Sequence, residues 1–177
     1  ENIGDFGDFR DLQQVSDLEE FELLRELVDQ FPMNHPLKRY KQDVYFEIPR
    51  LKDLFQTMKQ ENWTYETIKK AYDTFAKSIS DPENPHPDYV YKVSKAGKFN
   101  KGDLKVKEIE LALAKYKTVV DAASEYENFQ TILNKYERYD YNDMILWVIR
   151  NFEKNDVLLG KYQEKYQYIL VDEYQDT

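Results

Sequence analysis

The sequence of 177 residues contains no cysteine, which excludes disulfide bonds, thiolate metal ligands and cysteine nucleophiles. Glycine and proline are scarce, with five and six residues, and this scarcity favours helices over a turn-rich β architecture. The longest apolar run, YILV at residues 168–171, is far shorter than the roughly 20 residues that cross a membrane. The N-terminal segment is acidic and lacks the basic and apolar regions of a signal peptide. These absences predict a cytoplasmic protein with no membrane partner.

Acidic and aromatic residues are abundant. The net charge of −9 argues against a surface that binds nucleic acid over its whole extent, although a local basic face is compatible with it. The chain also has 15 tyrosines and 10 phenylalanines. Aromatic side chains with a polar tip suit helix contacts that reach the surface, and they also stack on bases. We interpret most of them as core and boundary residues.

Apolar residues recur mainly at helical spacing. A capping box at Ser16 predicts the start of the first helix, and Pro49 and Thr64 suit the starts of two more. The turn-rich segment 80–88 interrupts the pattern, and a long helix is predicted at about residues 106–136. The predicted fold class is mainly α, a bundle of about five or six helices with a short C-terminal strand.

The last twelve residues, YQYILVDEYQDT, change character. Residues 168–171 predict a short buried strand, and Asp172 and Glu173 follow it directly. This is the pattern of a Walker B element, because the end of such a strand lies where nucleotides bind to a parallel sheet. The first carboxylate can hold Mg²⁺ on a nucleotide, and the second can orient and deprotonate the attacking water. The alternative is a solvated strand end without chemistry.

The complete segment VDEYQDT, residues 171–177, resembles motif II of the UvrD/Rep-type superfamily 1 DNA helicases. YDYNDMI, residues 139–145, resembles the segment that begins the helix leading towards this motif, although we interpret its aspartates as helix caps. DFRDLQQVSDLEEFELLREL, residues 8–27, resembles the start of the inserted helical subdomain called 1B. The resemblance implies that residues 1–138 form this subdomain. Residues 139–177 would return to the RecA-like α/β motor domain and include the terminal strand.

The resemblance also implies an ATPase site. Asp172 would coordinate Mg²⁺, Glu173 would be the catalytic base, and Gln175 would couple the state of the γ-phosphate to other motifs. ATP and Mg²⁺ would be cofactors of the parent protein. The phosphate-binding loop G-x-x-x-x-G-K-[ST] is absent, since none of the glycines has the required spacing. We therefore expect this chain alone to bind no cofactor and to hydrolyse no ATP. In the parent protein it would act together with the remaining helicase domains in cis.

The terminal strand would also lack its sheet neighbours. We expect residues 168–171 to be frayed, packed differently from the parent protein, or paired with another molecule through an open edge.

One stretch is strongly basic. Residues 89–107 contain six lysines and one aspartate, with aromatic residues between them. This mixture is typical of surfaces where lysines neutralise the phosphates of a nucleic acid and aromatic rings stack on its bases. The resemblance implies a surface for DNA, either single-stranded or at a duplex junction. The candidate residues for binding nucleic acid are Lys92, Lys95, Lys98, Lys101, Lys105 and Lys107. The alternative is a solvated, flexible hairpin between helices.

Three classes of function stay open at this point. The chain can be part of an ATP-dependent DNA helicase, or part of a RecB/AddA-type helicase–nuclease that shares the same motif II. It can also be a non-catalytic helical interaction module whose acidic end is coincidental.

Overall fold

The computed structural model describes residues 12–38 and 43–173. The chain divides into two compact units. The first, here called the helical unit, is Ser16–Tyr136. The second, the terminal unit, combines Glu1–Val15 with Glu137–Thr177.

The described part of the helical unit contains five α-helices and a short 3₁₀ turn. The helices are α1 (Asp17–Gln30), α2 (Ile48–Gln60), α3 (Tyr65–Ser80), α4 (Val106–Ala123) and α5 (Tyr126–Lys135), and the 3₁₀ turn is Pro87–Tyr89. Helix α1 packs against α2 and α5, whereas α4 packs against α2, α3 and the 3₁₀ turn. The predicted capping box is confirmed: the Ser16 hydroxyl accepts a hydrogen bond from the Glu19 N–H, and the Glu19 carboxylate accepts one from the Ser16 N–H.

The hydrophobic core lies between α1, α2 and α5, with the C-terminal end of α4 at its side. Phe55 of α2 stacks on Phe129 of α5 with ring centroids 5.4 Å apart. Leu24 and Val28 of α1 are completely buried in the same cluster. Helix α3 adds only partly buried side chains to this core, since its main partner is α4.

The prediction of one long helix at residues 106–136 is wrong. The helix ends at Ala123, and α5 begins at Tyr126 after a turn through Ser124 and Glu125. The Ser124 hydroxyl donates to the Asp121 carbonyl, while the Ser124 N–H still bonds to Val120. The break allows α5 to pack on α1 while α4 packs on α2 and α3, and each apolar stripe is thereby covered by a different partner.

In the terminal unit, two short strands form a parallel ladder, β1 (Gln13–Gln14) with β2 (Arg138–Tyr139). Helices α6 (Tyr141–Lys154) and α7 (Asp156–Lys165) follow and pack on each other. Asp140 caps α6, as predicted, and it also forms a second capping box with Asp143.

The predicted strand at residues 168–171 is absent, which corrects the sequence interpretation. Tyr168, Ile169 and Leu170 expose 90%, 78% and 98% of their surface, and Val171 exposes 55%. A strand needs a neighbour for its backbone N–H and C=O groups, and the ladder of β1 and β2 does not extend to this segment. The segment therefore keeps its apolar composition without the burial that a sheet would provide.

The predicted mainly α class is confirmed, with seven α-helices in the described ranges rather than five or six. No described helix is both long and apolar enough to cross a membrane.

Candidate functional site

The two carboxylates predicted from the sequence lie at the end of the terminal unit. Asp172 and Glu173 are both exposed, and the Asp172 carboxylate accepts a hydrogen bond of 2.9 Å from the Glu173 N–H. Glu173 has a φ of 48°, in the left-handed region of backbone conformation that residues other than glycine rarely adopt. Gln175 lies outside the described residues, and so does the rest of the segment YQDT.

The chemistry of this pair fits the role of a metal ligand and a base, but only as part of a site. Mg²⁺ prefers oxygen ligands in octahedral geometry and is usually held by one or two carboxylates together with phosphates and water. Asp172 offers one such carboxylate. The described ranges contain no group of three or more His, Asp or Glu side chains that could hold a metal ion. The remaining ligands would therefore have to come from the nucleotide, from water or from other parts of the protein.

The basic stretch forms an ordered hairpin, here called the basic hairpin, at residues 89–105. Antiparallel bridges join Val90 to Leu104 near its base and Lys95 to Phe99 near its tip. The Tyr91 N–H donates to the Asp103 carbonyl at 3.0 Å, and the Lys105 N–H donates to the Tyr89 carbonyl at 2.8 Å. A hairpin in this region, which the sequence only suggested, is therefore present.

Two glycines make the turns of the basic hairpin possible. Gly97 has a φ of 71° within the tip turn, which the hydrogen bond from the Lys98 N–H to the Lys95 carbonyl closes at 3.0 Å. Gly102 has a φ of 94° within a second turn, which the hydrogen bond from the Asp103 N–H to the Asn100 carbonyl closes at 3.1 Å, and the Gly102 N–H donates to the Tyr91 carbonyl. Positive φ angles are readily adopted by glycine because it has no Cβ.

The aromatic residues of the basic hairpin contact one another and the neighbouring helices. The Tyr91 and Phe99 rings stack with centroids 3.7 Å apart and an angle of 7° between their planes. Tyr89 lies edge-on to Phe75 of α3 at 6.3 Å. The candidates for base stacking are thus already engaged in contacts within the protein.

The six candidate lysines do not share one environment. Lys92, Lys95, Lys98 and Lys101 are exposed, and none forms an ion pair with a carboxylate of the described ranges; the same holds for Lys107. Lys105 is different.

The Lys105 side chain is 24% exposed, and its ammonium group contacts the Glu108 carboxylate at 2.9 Å and the Asp88 carbonyl at 3.2 Å. Lys105 therefore anchors the base of the basic hairpin to the first turn of α4. The spacing of three residues between Lys105 and Glu108 was a signal for this pair that sequence reasoning missed.

Ion pairs across the helical unit were not anticipated from the sequence either. Lys52 of α2 contacts both Asp17 and Glu20 of α1, at 2.8 and 2.9 Å. The hydrogen bond and charge of Lys52 lower the pKa of Asp17, and the contacts to Asp17 and Glu20 raise the pKa of Lys52. These contacts connect the start of α1 to α2 and have no counterpart in local sequence patterns.

Comparison with known proteins identifies the class of this chain. The model of the family described as the UvrD/REP helicase N-terminal domain matches residues 10–177, which is most of the chain. The chain therefore belongs to the UvrD/REP helicase N-terminal domain family, and the resemblance stated from motif II is confirmed at the level of the family.

Two relatives give a more specific similarity. The ATP-dependent DNA helicase PcrA of Staphylococcus aureus (strain Mu50 / ATCC 700699) is 46% identical over 55 residues, which is 31% of this chain. The ATP-dependent DNA helicase PcrA of Staphylococcus epidermidis (strain ATCC 12228 / FDA PCI 1200) has the same identity over the same length. The matched region covers 8% of each of these curated relatives. No solved structure matches the chain.

Proposed function

We propose that this chain is part of an ATP-dependent DNA helicase. It would supply a helical insert beside the DNA, together with the metal-binding and catalytic-base half of the ATPase site. The observation that carries this proposal is the family match over residues 10–177, which includes the Asp172–Glu173 pair and the rest of VDEYQDT. The names of the relatives, which are ATP-dependent DNA helicases, support the same activity.

The proposed boundaries of the insert follow the resemblance, with residues 1–138 as the 1B-like subdomain and residues 139–177 in the motor domain. Residues 12–15 depart from this division in one respect, since β1 pairs with β2 in the terminal unit. A cytoplasmic location and the action of further helicase domains in cis remain part of the proposal.

The two carboxylates would have separate roles. When bound, Mg²⁺ offsets the negative charge of the nucleotide phosphates. Asp172 would be one of its ligands, and the Glu173 carboxylate would orient a water molecule and accept the proton that this water loses. Gln175 would report the state of the γ-phosphate to other parts of the motor. The lysines of the basic hairpin would contact DNA, either single-stranded or at a duplex junction.

The full-length protein allows a direct test of the base. Glu173→Gln should lower kcat for ATP hydrolysis by about 10²-fold or more, because a positioned base contributes on the order of 10²–10⁴-fold. Nucleotide affinity, measured with a fluorescent ATP analogue, should change little because the amide keeps the size of the side chain.

The matched control is Glu164→Gln on α7, an exposed glutamate in the same unit whose substitution changes the charge equally. It should hydrolyse ATP like the unsubstituted protein. If Glu173→Gln has the same kcat as this control, Glu173 is not the base. A full-length protein that hydrolyses no ATP in the presence of DNA would contradict the proposed function itself.

A further inference from the structure

We propose that the basic hairpin binds the sugar–phosphate backbone of nucleic acid through Lys92, Lys95, Lys98 and Lys101, and that it does not stack on the bases. This inference rests on the proposed function, because it specifies how the DNA-side surface would recognise its ligand. It predicts binding that is insensitive to base identity and even to the presence of bases.

The first argument is charge. The chain has a net charge of −9, yet the four lysines form no ion pair with any carboxylate in the described part of the chain. The single aspartate of the hairpin, Asp103, accepts a hydrogen bond of 2.6 Å from the Asn100 N–H and so serves the local backbone. Positive charge is therefore concentrated and exposed at the hairpin, where polyanions would release counterions on binding.

The second argument is order. Backbone hydrogen bonds close the hairpin at its base and at its tip, and the Ser94 hydroxyl accepts a further bond from the Lys101 N–H at 2.8 Å. Lys105 fixes the base to α4 through Glu108. The backbone positions of the exposed lysines are therefore held before any ligand arrives, which lowers the entropic cost of binding. A flexible, merely solvated loop would not have these bonds.

The third argument is the use of the aromatic rings. Tyr91 and Phe99 cover one face of each other in a parallel stack and are both half-buried. Tyr89 contacts Phe75 and His86. A base would have to compete with these contacts before it could stack on the rings. The ammonium groups of the four lysines form no ion pair in the described ranges, so they can contact phosphates directly. Ammonium groups are point charges that suit phosphates and carry no information about sequence.

The test compares two ligands for the 177-residue chain by fluorescence anisotropy in a salt series. One is a labelled oligodeoxynucleotide of about 16 nucleotides, a length that covers one binding site of a typical single-strand binding module. The other is the matched oligomer with abasic sugars throughout. The unsubstituted chain should bind both with dissociation constants within about threefold of each other, since phosphates carry the affinity.

Removing three of the charges should affect both ligands equally. The triple variant Lys95→Gln, Lys98→Gln and Lys101→Gln should weaken binding of each by at least about tenfold at low salt. It should also reduce the slope of log K against log salt by about 2, since each neutralised phosphate of a single strand contributes about 0.7. Circular dichroism should confirm that the variant keeps its helices.

The control is Lys69→Gln, Lys70→Gln and Lys77→Gln, three exposed lysines on α3 whose removal changes the net charge by the same amount. Binding by this control should stay within about threefold of the unsubstituted chain, because lysines that contact no phosphate release no counterions and salt screens their charge. Equal weakening in both triple variants would overturn the assignment to the hairpin.

Two further outcomes separate this inference from the proposed function. If the normal oligomer binds through the hairpin lysines but the abasic one binds more than about tenfold more weakly, stacking contributes and the inference is wrong. The DNA-side role would then stand. If neither ligand depends on the hairpin lysines, both the inference and the DNA-side role of the hairpin fail. The assignment of Glu173 would still be judged by ATP hydrolysis in the full-length protein.

Discussion

Side chains of one chemical type have different surroundings in this chain, and their roles differ accordingly. Lys105 lies between the Glu108 carboxylate and the Asp88 carbonyl and stabilises the base of the basic hairpin. Lys98, a few residues away, is exposed and has no ion pair among the described residues. Asp103 supports a turn, whereas Asp172 is exposed beside Glu173. A role in binding or catalysis is therefore assigned to individual residues rather than to a charged stretch as a whole.

Leu24 provides a test of the core at this scale, since its side chain is completely buried between α1 and its partners. Leu24→Ala should lower the free energy of unfolding by about 2–5 kcal/mol, because the substitution removes buried methyl groups and leaves a cavity. Leu111→Ala is the control, since Leu111 is 71% exposed, and it should change stability by less than about 0.5 kcal/mol. Urea denaturation followed by circular dichroism measures both. Equal midpoints would show that Leu24 is not a core residue.

The elements of this fold begin and end at recognisable local signals. Helices α1 and α6 both start with a capping box, at Ser16 and Asp140, which satisfies backbone N–H groups that have no partner within the helix. The break between α4 and α5 has a weaker signal in the sequence than these capping boxes, because its position depends on which helix each apolar stripe contacts. Local chemistry therefore determines helix starts better than it determines helix continuity.

Ser16→Ala tests the contribution of a cap. Losing the hydroxyl that accepts the Glu19 N–H should destabilise the helical unit by about 1 kcal/mol. Ser80→Ala removes a hydroxyl from the exposed last residue of α3, and we expect a smaller change from it. Thermal unfolding of the two variants should give a lower Tm for Ser16→Ala. The same Tm in both would mean that the capping box does not contribute measurably.

At the scale of the whole molecule, one ion pair between distant segments connects α1 to the end of the helical unit. The Glu26 carboxylate contacts the Lys135 ammonium at 2.9 Å and accepts a hydrogen bond of 2.8 Å from the Tyr136 hydroxyl. The Lys135 hydrogen bond, and then that of Tyr136, lower the pKa of Glu26 below its ordinary value of 4.5. The pair joins residues that are 109 positions apart in the chain.

This shift predicts a pH dependence of stability. A carboxyl whose pKa is lowered by folding stabilises the folded state above its ordinary pKa, and the stabilisation is lost as the pH falls through the lower, folded value. Glu26→Gln should therefore reduce stability at neutral pH and flatten its decline below pH 4.5. Urea midpoints measured as a function of pH check this, with Glu83→Gln in an exposed loop as the control. An unchanged acid profile in Glu26→Gln would contradict the role of the pair.

Much of the candidate site could be predicted from the sequence because its signals are local. The apolar run followed by Asp172 and Glu173 predicts the carboxylate pair, and its role in an ATPase site stays a prediction; the family match covers residues 10–177. The lysines marked residues 89–107 as a basic stretch, but the sequence only suggested its hairpin and did not show the separate role of Lys105. Residues 168–171 form no strand and are exposed. An apolar strand is buried only where other strands cover it, which is why fraying was among the expected outcomes for this segment.

The sequence by itself determined the mainly α class, the starts of α1 and α6, and the positions of the carboxylates and lysines. Each of these depends on residues within a few positions of one another, whose spacing sets which groups meet on one helix turn. Only the tertiary structure decided that α4 and α5 separate at Ser124, that Tyr91 stacks on Phe99, and that Gln13 pairs with Arg138. The break depends on which helix each apolar stripe contacts, and the two pairings depend on how the chain folds back on itself. They form because packing covers apolar surface and satisfies backbone hydrogen bonds.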